Sequence, residues 1–439
     1  MHSFWSDKRG NVAILFALAM IPIIGAMGAA VDYSFANAHR TNMQKALDST
    51  GLMLSKMMPL TQDQLNTLGN QFFLASFGTP PPNLTLATPA ITVVPTTGKL
   101  DLAVTGTFQP EIAGVMGVQS FPIGTTTQVV WGLGKVEVAL ALDNTGSMSS
   151  NNKLVELKIA AHNLLEILKN AAQQPGDAKV SIVAFGVQTK IDPSNYNAAW
   201  LRWDLWEQTN GTCSNNNYTT KSSCTNNGKV WTPANHNTWT GCIADRDKDP
   251  NGVNYNVKDT SPTSSATNFP ADDNCGALAT NMPLNYNWGT NSNSNNDQTT
   301  LHGKINAMQA VGNTNVTIGL AWGWNTLSPA TSGLPLSGGI AYGTANYTKF
   351  LIILTDGNNT QDRWSTNGNT IDTRTAAACT NIKAKGIKIY SIRVINGDAT
   401  LLRNCASDPS MYYDVQNASE LTVVFNAIGS QIANLHLSK

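Results

Sequence analysis

Val138-Ala139-Leu140-Ala141-Leu142 followed by Asp143-Asn144-Thr145-Gly146-Ser147 is the stretch on which this chain is read. The apolar run reads as a strand, and the polar run as the loop it feeds. Asp143, Thr145 and Ser147 then offer one carboxylate and two hydroxyls at alternate positions. Short oxygen side chains in that pattern suit Mg²⁺, which takes oxygen ligands in octahedral geometry and keeps several waters. The competing use of the same residues is Asp and Ser capping a helix.

Two later loops add to the pattern. Gly312-Asn313-Thr314-Asn315 is one, and Leu354-Thr355-Asp356-Gly357, after the apolar run Phe350–Leu354, is the other. Open α/β sheets bind ligands beyond the carboxyl ends of their strands, where loops distant in sequence converge. The order D-x-T-x-S, G-x-T, T-D-G resembles the metal-ion-dependent adhesion site of von Willebrand factor A domains. The resemblance implies Asp143, Thr145, Ser147, Thr314 and Asp356 as ligands of Mg²⁺ or Mn²⁺, directly or through water. Thr145 stands where many members have Ser, which keeps the hydroxyl.

The chain has 439 residues, room for two domains and an insertion. Lys+Arg and Asp+Glu are both 28, so bulk charge gives no reason to expect nucleic acid as a partner. Charged residues are only 13%, and Asn, Thr and Ser carry the polarity, a composition that suits the cell envelope. Cys213, Cys224, Cys242, Cys275, Cys379 and Cys405 form no C-x-x-C pair and have no histidine cluster beside them, which argues against zinc. In an oxidising compartment they read as three disulfides. Proximity suggests Cys213–Cys224, Cys242–Cys275 and Cys379–Cys405, one of fifteen connectivities; free thiols are the alternative.

Lys8-Arg9-Gly10 precedes Val12–Val31, twenty residues without a charge. At 1.5 Å per residue that run spans a hydrocarbon core of about 30 Å. The positive flank before it and Asp32 after it place the N-terminus in the cytoplasm. A cleaved signal peptide is the competing reading. The helix is expected to continue to about Lys56 on the stripe Tyr33, Phe35, Ala38, Met43, Ala46, Leu47 and Leu54. This N-terminal segment resembles the TadE/TadG-like proteins of Flp (tight adherence) pilus assembly. Leu15 occupies the position where prepilin processing after Gly10 would want Glu, so an uncleaved anchor is expected. The resemblance takes in the anchor, the metal motif and Leu402–Asp408, and implies pilus assembly or surface attachment in a bacterium.

The expected organisation is an anchor over 1–56, a small β-rich stalk over 57–134, and an A-type domain over 135–439 with an insertion at 189–300. The stalk reads as one short helix and strands near 91–94, 100–104 and 127–131. The domain alternates strands near 138–142, 180–185, 350–354, 387–392 and 411–415 with helices near 152–170, 373–385 and 419–435. Its fold class is therefore α/β, a doubly wound, mainly parallel sheet. The insertion is too long for an ordinary loop and holds four of the six cysteines and six of the eleven tryptophans. Its tryptophans read as a small core or as a recognition surface, and Asn291–Asn296 as a mobile low-complexity loop. Asp245, Asp247, Asp249 and Asn251 alternate as in calcium loops, although Pro250 and Asn256 replace the Gly and Glu an EF-hand needs. They are a candidate second site, for Ca²⁺.

The function expected is a single-pass inner-membrane protein with its bulk periplasmic or surface-exposed. It would bind an acidic residue of a protein partner, such as a pilus component, through the metal. Alternatives are a structural envelope protein whose metal only rigidifies loops, and a Mg²⁺-dependent phosphotransferase. The last lacks the second Asp that haloacid-dehalogenase-type enzymes need, because Thr145 stands there, and no Walker loop, nucleophile elbow or HExxH is present. His162 reads as packing or surface and not as a ligand, Asn144 and Ser149 as hydrogen-bond partners of the metal loop, and Asp362 as a solvated loop carboxylate.

Overall fold

The computed structural model describes residues 11–58, 60–94, 99–130, 134–172, 174–273 and 275–437. Lys8, Arg9, Gly10 and Trp131 lie outside them. The chain divides into two compact units between Gly132 and Leu133.

In the first unit, helix α1 (Asn11–Met57) is long and apolar enough near its start to cross a membrane. Only 17% of its most apolar window is buried. Leu15, Phe16, Leu18, Ile21, Ile23, Ile24 and Met27 are all exposed. The later half changes role: Ala36, Met43, Ala46, Leu47 and Leu54 are buried. They pack with helix α2 (Gln62–Phe77) and with the antiparallel strands Leu84–Leu86, Ala90–Val94, Lys99–Phe108 and Phe121–Val130. A capping box between Thr61 and Gln64 starts α2.

The second unit is built on an eight-stranded sheet. Its parallel core runs, side by side, Ala178–Phe185, Lys135–Asp143, Tyr347–Thr355, Lys388–Val394 and Tyr412–Val415. The insertion adds Thr189–Lys190, Cys242–Ile243 and Met282–Asn285 as short antiparallel strands on the Ala178–Phe185 edge, so it is woven into the sheet. It also contains helix α4 (Lys221–Asn226), and four of its tryptophans belong to or pack on one core, Trp206 and Trp239 within it and Trp200 and Trp203 against it. Trp206 and Trp239 are buried, with Trp203 edge-on to both and stacked on His236. The bridges are Cys213–Cys224, Cys242–Cys275 and Cys379–Cys405. The asparagine-rich 291–296 turn is pinned by the Asn306 amide, which donates to Ser292 O and Asn295 O.

Side-chain alternation along Lys135–Asp143 explains the two helical layers. Val138, Leu140 and Leu142 face helices α3 (Lys153–Ala171), α5 (Leu301–Asn306) and α9 (Leu421–Leu437). Ala139 and Ala141 face helices α6 (Val316–Leu327) and α7 (Gly368–Ala384). Helix α8 (Ala399–Cys405) is tied to α7 by the Cys379–Cys405 bridge.

Helix α6 is not anticipated by the sequence reading. All twelve of its residues are buried, so it has no polar face to give a helical period. Small residues let it close on the sheet. A Cβ on Gly319 would come within 2.5 Å of Phe185 Cδ1, and one on Gly323 within 3.0 Å of Leu351 Cδ1. Gly319→Ala should therefore lower stability by about 1–3 kcal/mol, read as a fall in the urea midpoint of the detergent-solubilised chain. An unchanged midpoint would mean that α6 shifts freely.

Candidate metal centre

Two central strands end side by side and deliver two acids to one place. Asp143 closes Lys135–Asp143, and Asp356 follows directly on Tyr347–Thr355. Asp143 is fully buried; its Oδ1 accepts from the Thr145 amide at 2.7 Å and its Oδ2 from Thr355 Oγ1 at 2.6 Å. The Asp356 Oδ1 accepts from Ser147 Oγ at 2.6 Å, and Ser147 Oγ lies 3.0 Å from Thr145 Oγ1. Thr314 reaches the same spot: a Cβ at Gly357 would lie 3.6 Å from Thr314 Oγ1 and 3.8 Å from Ser147 Oγ. Asp143, Thr145, Ser147, Thr314 and Asp356 are thus brought together by three loops.

The loops are fixed by their backbones. Gly146 N donates to Gly312 O at 2.9 Å and Val311 N to Asn144 O at 2.6 Å, tying the first loop to the second. Gly312 takes a left-handed φ of 72°, a conformation that suits glycine. Thr314 N donates to Thr360 Oγ1, and Thr360 N to Thr314 O, tying the second loop to the third. Asn144 is buried and donates to Gln309 O, whereas Ser149 is exposed and only closes its own turn on Gly146 O.

Lys153 is the residue that sequence reasoning missed. Its ammonium, 2% exposed, lies 2.7 Å from Asp356 Oδ2. Asn151 and Asn152, both left-handed with φ of 53° and 55°, lead into it, and it opens α3. A lysine in the first turn opposes the helix dipole, and that is the signal the sequence offered. It offsets one of the two acidic charges. Burial, and then the charge of Asp356, raise the Asp143 pKa to about 6, against hydrogen bonds from Thr145 and Thr355 that pull it down. The donor set is entirely oxygen, two carboxylates and three hydroxyls, and could hold a hard divalent cation.

The other candidate residues separate. Asp245 is buried against Asn256 and Asn315. Asp247 pairs with Arg202 and Arg363, Asp249 with Lys258, and Asn251 is exposed at the turn. Each acid already has its own partner, so the 245–251 run does not form a calcium loop. Among the described residues no cluster of three or more His, Cys, Asp or Glu side chains is placed to hold a metal. The centre described above has only two such groups and relies on hydroxyls. Asp362 is not solvated: it is buried, paired with Arg374, and accepts from Trp364 N and Ser365 N. His162 is buried on α3, 2.7 Å from His302 through their Nδ1 atoms.

Asp143 gives a pH dependence of known sign. Its folded pKa lies above the unfolded value of 3.8, so between about 4 and 6 the folded state holds more protons. Metal-free stability should fall as pH rises through that window, by about 3 kcal/mol from this group. Unfolding in EDTA at pH 4.5 and 7 should show about 2 kcal/mol of that fall in the wild type and a smaller change in Asp143→Asn. Equal slopes would remove Asp143 as the cause.

Comparison with known proteins now adds to this geometry. Residues 10–53 match the family model described as putative Flp pilus-assembly TadE/G-like. Residues 284–427 match the model for the von Willebrand factor type A domain, a span that includes Thr314 and Asp356 and starts after the Asp143 loop. A search of curated proteins gives no match. Among solved structures, the pilus adhesin SpaC of Lactobacillus rhamnosus GG is 14% identical with a TM-score of 0.38, over 82% of this chain and 36% of that one. The vWF domain of the type V pili tip protein Mfa5 from Porphyromonas gingivalis is 10% identical with a TM-score of 0.38, over 70% and 97%. Proximal thread matrix protein 1 of the mussel byssus, in a form with a zinc-occupied MIDAS motif, is 12% identical with a TM-score of 0.33, over 69% and 48%. This chain spans about a third of the length of SpaC. It joins a TadE/G-like N-terminal segment to a von Willebrand factor type A domain.

Proposed function

We propose that this is a membrane-anchored envelope protein of pilus assembly or adhesion, which binds a protein partner through a divalent cation held by its A domain. The observation that carries the proposal is the meeting of Asp143, Thr145, Ser147, Thr314 and Asp356 beyond the ends of the two central strands. The apolar first half of α1 supplies the anchor, and the cation is Mg²⁺ or Mn²⁺. When bound, it supplies a Lewis-acidic position for a carboxylate from the partner.

The chain's own residues do the rest. Thr355 and the Thr145 amide orient Asp143, and Ser147 orients Asp356. Ser147 is exposed, which leaves the cluster open to solvent on that side for an incoming acidic group. Lys153 balances Asp356 from the buried side and limits the repulsion between the two acids. The orientation follows from the sequence: N-terminus in the cytoplasm, bulk of the chain periplasmic or at the surface.

One observation favours a second reading, a structural protein whose cation only stiffens loops: the Lys153–Asp356 pair already ties α3 to the third loop without any metal. The two readings part in one experiment. Mn²⁺ titrated calorimetrically into the full chain in detergent should bind once, and Asp143→Ala and Asp356→Ala should abolish the heat. Because the cation must displace the Asp143 proton, affinity should weaken as pH falls below about 6. A glutamate-bearing peptide should then lower the water-proton relaxation enhancement of bound Mn²⁺. Binding without that displacement supports the structural reading, and no binding to wild type removes both.

A further inference from the structure

The segment between strands Lys99–Phe108 and Phe121–Val130 has an unusual surface. Ile112, Val115, Met116 and Val118 are exposed by 43%, 88%, 57% and 38% within seven residues. No charged residue occurs from Ile112 to Gly124. An exposed apolar cluster of this kind in a small unit marks a contact with something apolar.

Its seat identifies that contact. Met116 and Ile112 lie against Gly25 and Gly28 of α1, where a Cβ would come within 2.2 Å of Met116 Sδ and of Ile112 Cγ2 respectively. Both glycines fall inside the uncharged run that ends at Val31. At 1.5 Å per residue, Gly25 lies about 10 Å along the helix from Asp32, the first charge after the run. The tip of the segment is therefore level with the apolar part of α1, whose own side chains there, Ile21, Ile24 and Met27, are exposed.

The backbone of the segment is arranged for a medium that offers few hydrogen bonds. Buried Asp32 accepts from the amides of Glu111, Ile112 and Ala113 at 3.3, 3.0 and 2.6 Å. Val115 N donates to Ile112 O, Gly117 N to Gly114 O and Val118 N to Ala113 O. Six of the amides between Glu111 and Val118 are thus satisfied without water. Each backbone group left unpaired next to lipid costs several kcal/mol, so internal pairing of these amides lowers the cost of bringing the segment to the membrane boundary, where water still reaches the rest.

We propose that Ile112–Val118 is a second membrane-contacting element, which dips its apolar side chains into the boundary between headgroups and acyl chains beside the first half of α1. The inference rests on the reading of α1 as a membrane anchor. It makes Asp32 the fixed point of the arrangement, holding the loop at a set depth along the helix.

The test is spin-label accessibility in the full chain reconstituted in phosphatidylethanolamine–phosphatidylglycerol vesicles. Single labels go at Val115→Cys, Val118→Cys, Ile21→Cys and Gln128→Cys, without reductant, so that the native disulfides persist. Val115 and Ile21 should both be open to oxygen and shielded from a water-soluble nickel chelate, with an oxygen-to-nickel ratio several-fold above that of Gln128. Val118→Cys repeats the measurement should Val115→Cys misfold. Nickel access at the loop with Ile21 still shielded overturns the proposal and leaves the anchor standing. Shielding from both reagents also overturns it, because a protein then covers the loop. Nickel access at Ile21 removes the anchor and the proposal together.

Discussion

Two carboxylates at the ends of adjacent parallel strands are the constraint around which the second unit is arranged. Asp143 and Asp356 repel each other in a water-poor setting, and such an arrangement persists only if its surroundings oppose the repulsion. Thr145, Ser147 and Thr355 offer hydrogen bonds, and Lys153 offers a charge. The remaining imbalance appears in Asp143, whose affinity for a proton rises. A site that holds protons too tightly when empty is one that a cation can relieve.

The neighbouring architecture follows from holding those strand ends still. Asp245 of the insertion accepts from the Asn315 amide group and from Arg363 N, so it braces the loops carrying Thr314 and Asp356 together. Arg363 returns to Asp245 O and to Asp247. The acidic run that resembles a calcium loop in sequence is therefore a support for the neighbouring loops. On the far side, Asn359 receives Val316 N and holds the first turn of α6 in place.

The central strands and the loops that follow them were legible because buried parallel strands write themselves as unbroken apolar runs, as in Val138–Leu142 and Phe350–Leu354. Helix α3 was legible because Leu157, Ala161, Leu164 and Leu165, all buried, recur at the i, i+4, i+7, i+8 spacing of one helix face. Helix α6 escaped because burial on every side erases the period, and Val316–Leu327 is uniformly apolar apart from a few small polar groups. Lys153 and Asp362 escaped because a charge reads as solvated until a partner distant in sequence is known; Asp356 lies 203 residues from Lys153. The three edge strands of the insertion are two to four residues long, too short to leave an alternation. Acid spacing alone suggested the second cation site, and spacing does not reveal that Arg202, Arg363 and Lys258 arrive from elsewhere.

The position of the Asp143 loop also has a mechanical meaning. Asp143 is the last residue of a strand whose first, Lys135, follows in sequence on the unit that carries α1. On the proposed function, a partner held at the loop and a membrane holding α1 would pull along that strand's length. The strand is flanked on both sides by parallel neighbours, in register from Lys135 to Leu142 on one side and from Val136 to Asp143 on the other. Such a pull loads both hydrogen-bond ladders in shear, so their bonds share the force at once instead of opening one after another. Tension would meet the fold along its most resistant direction.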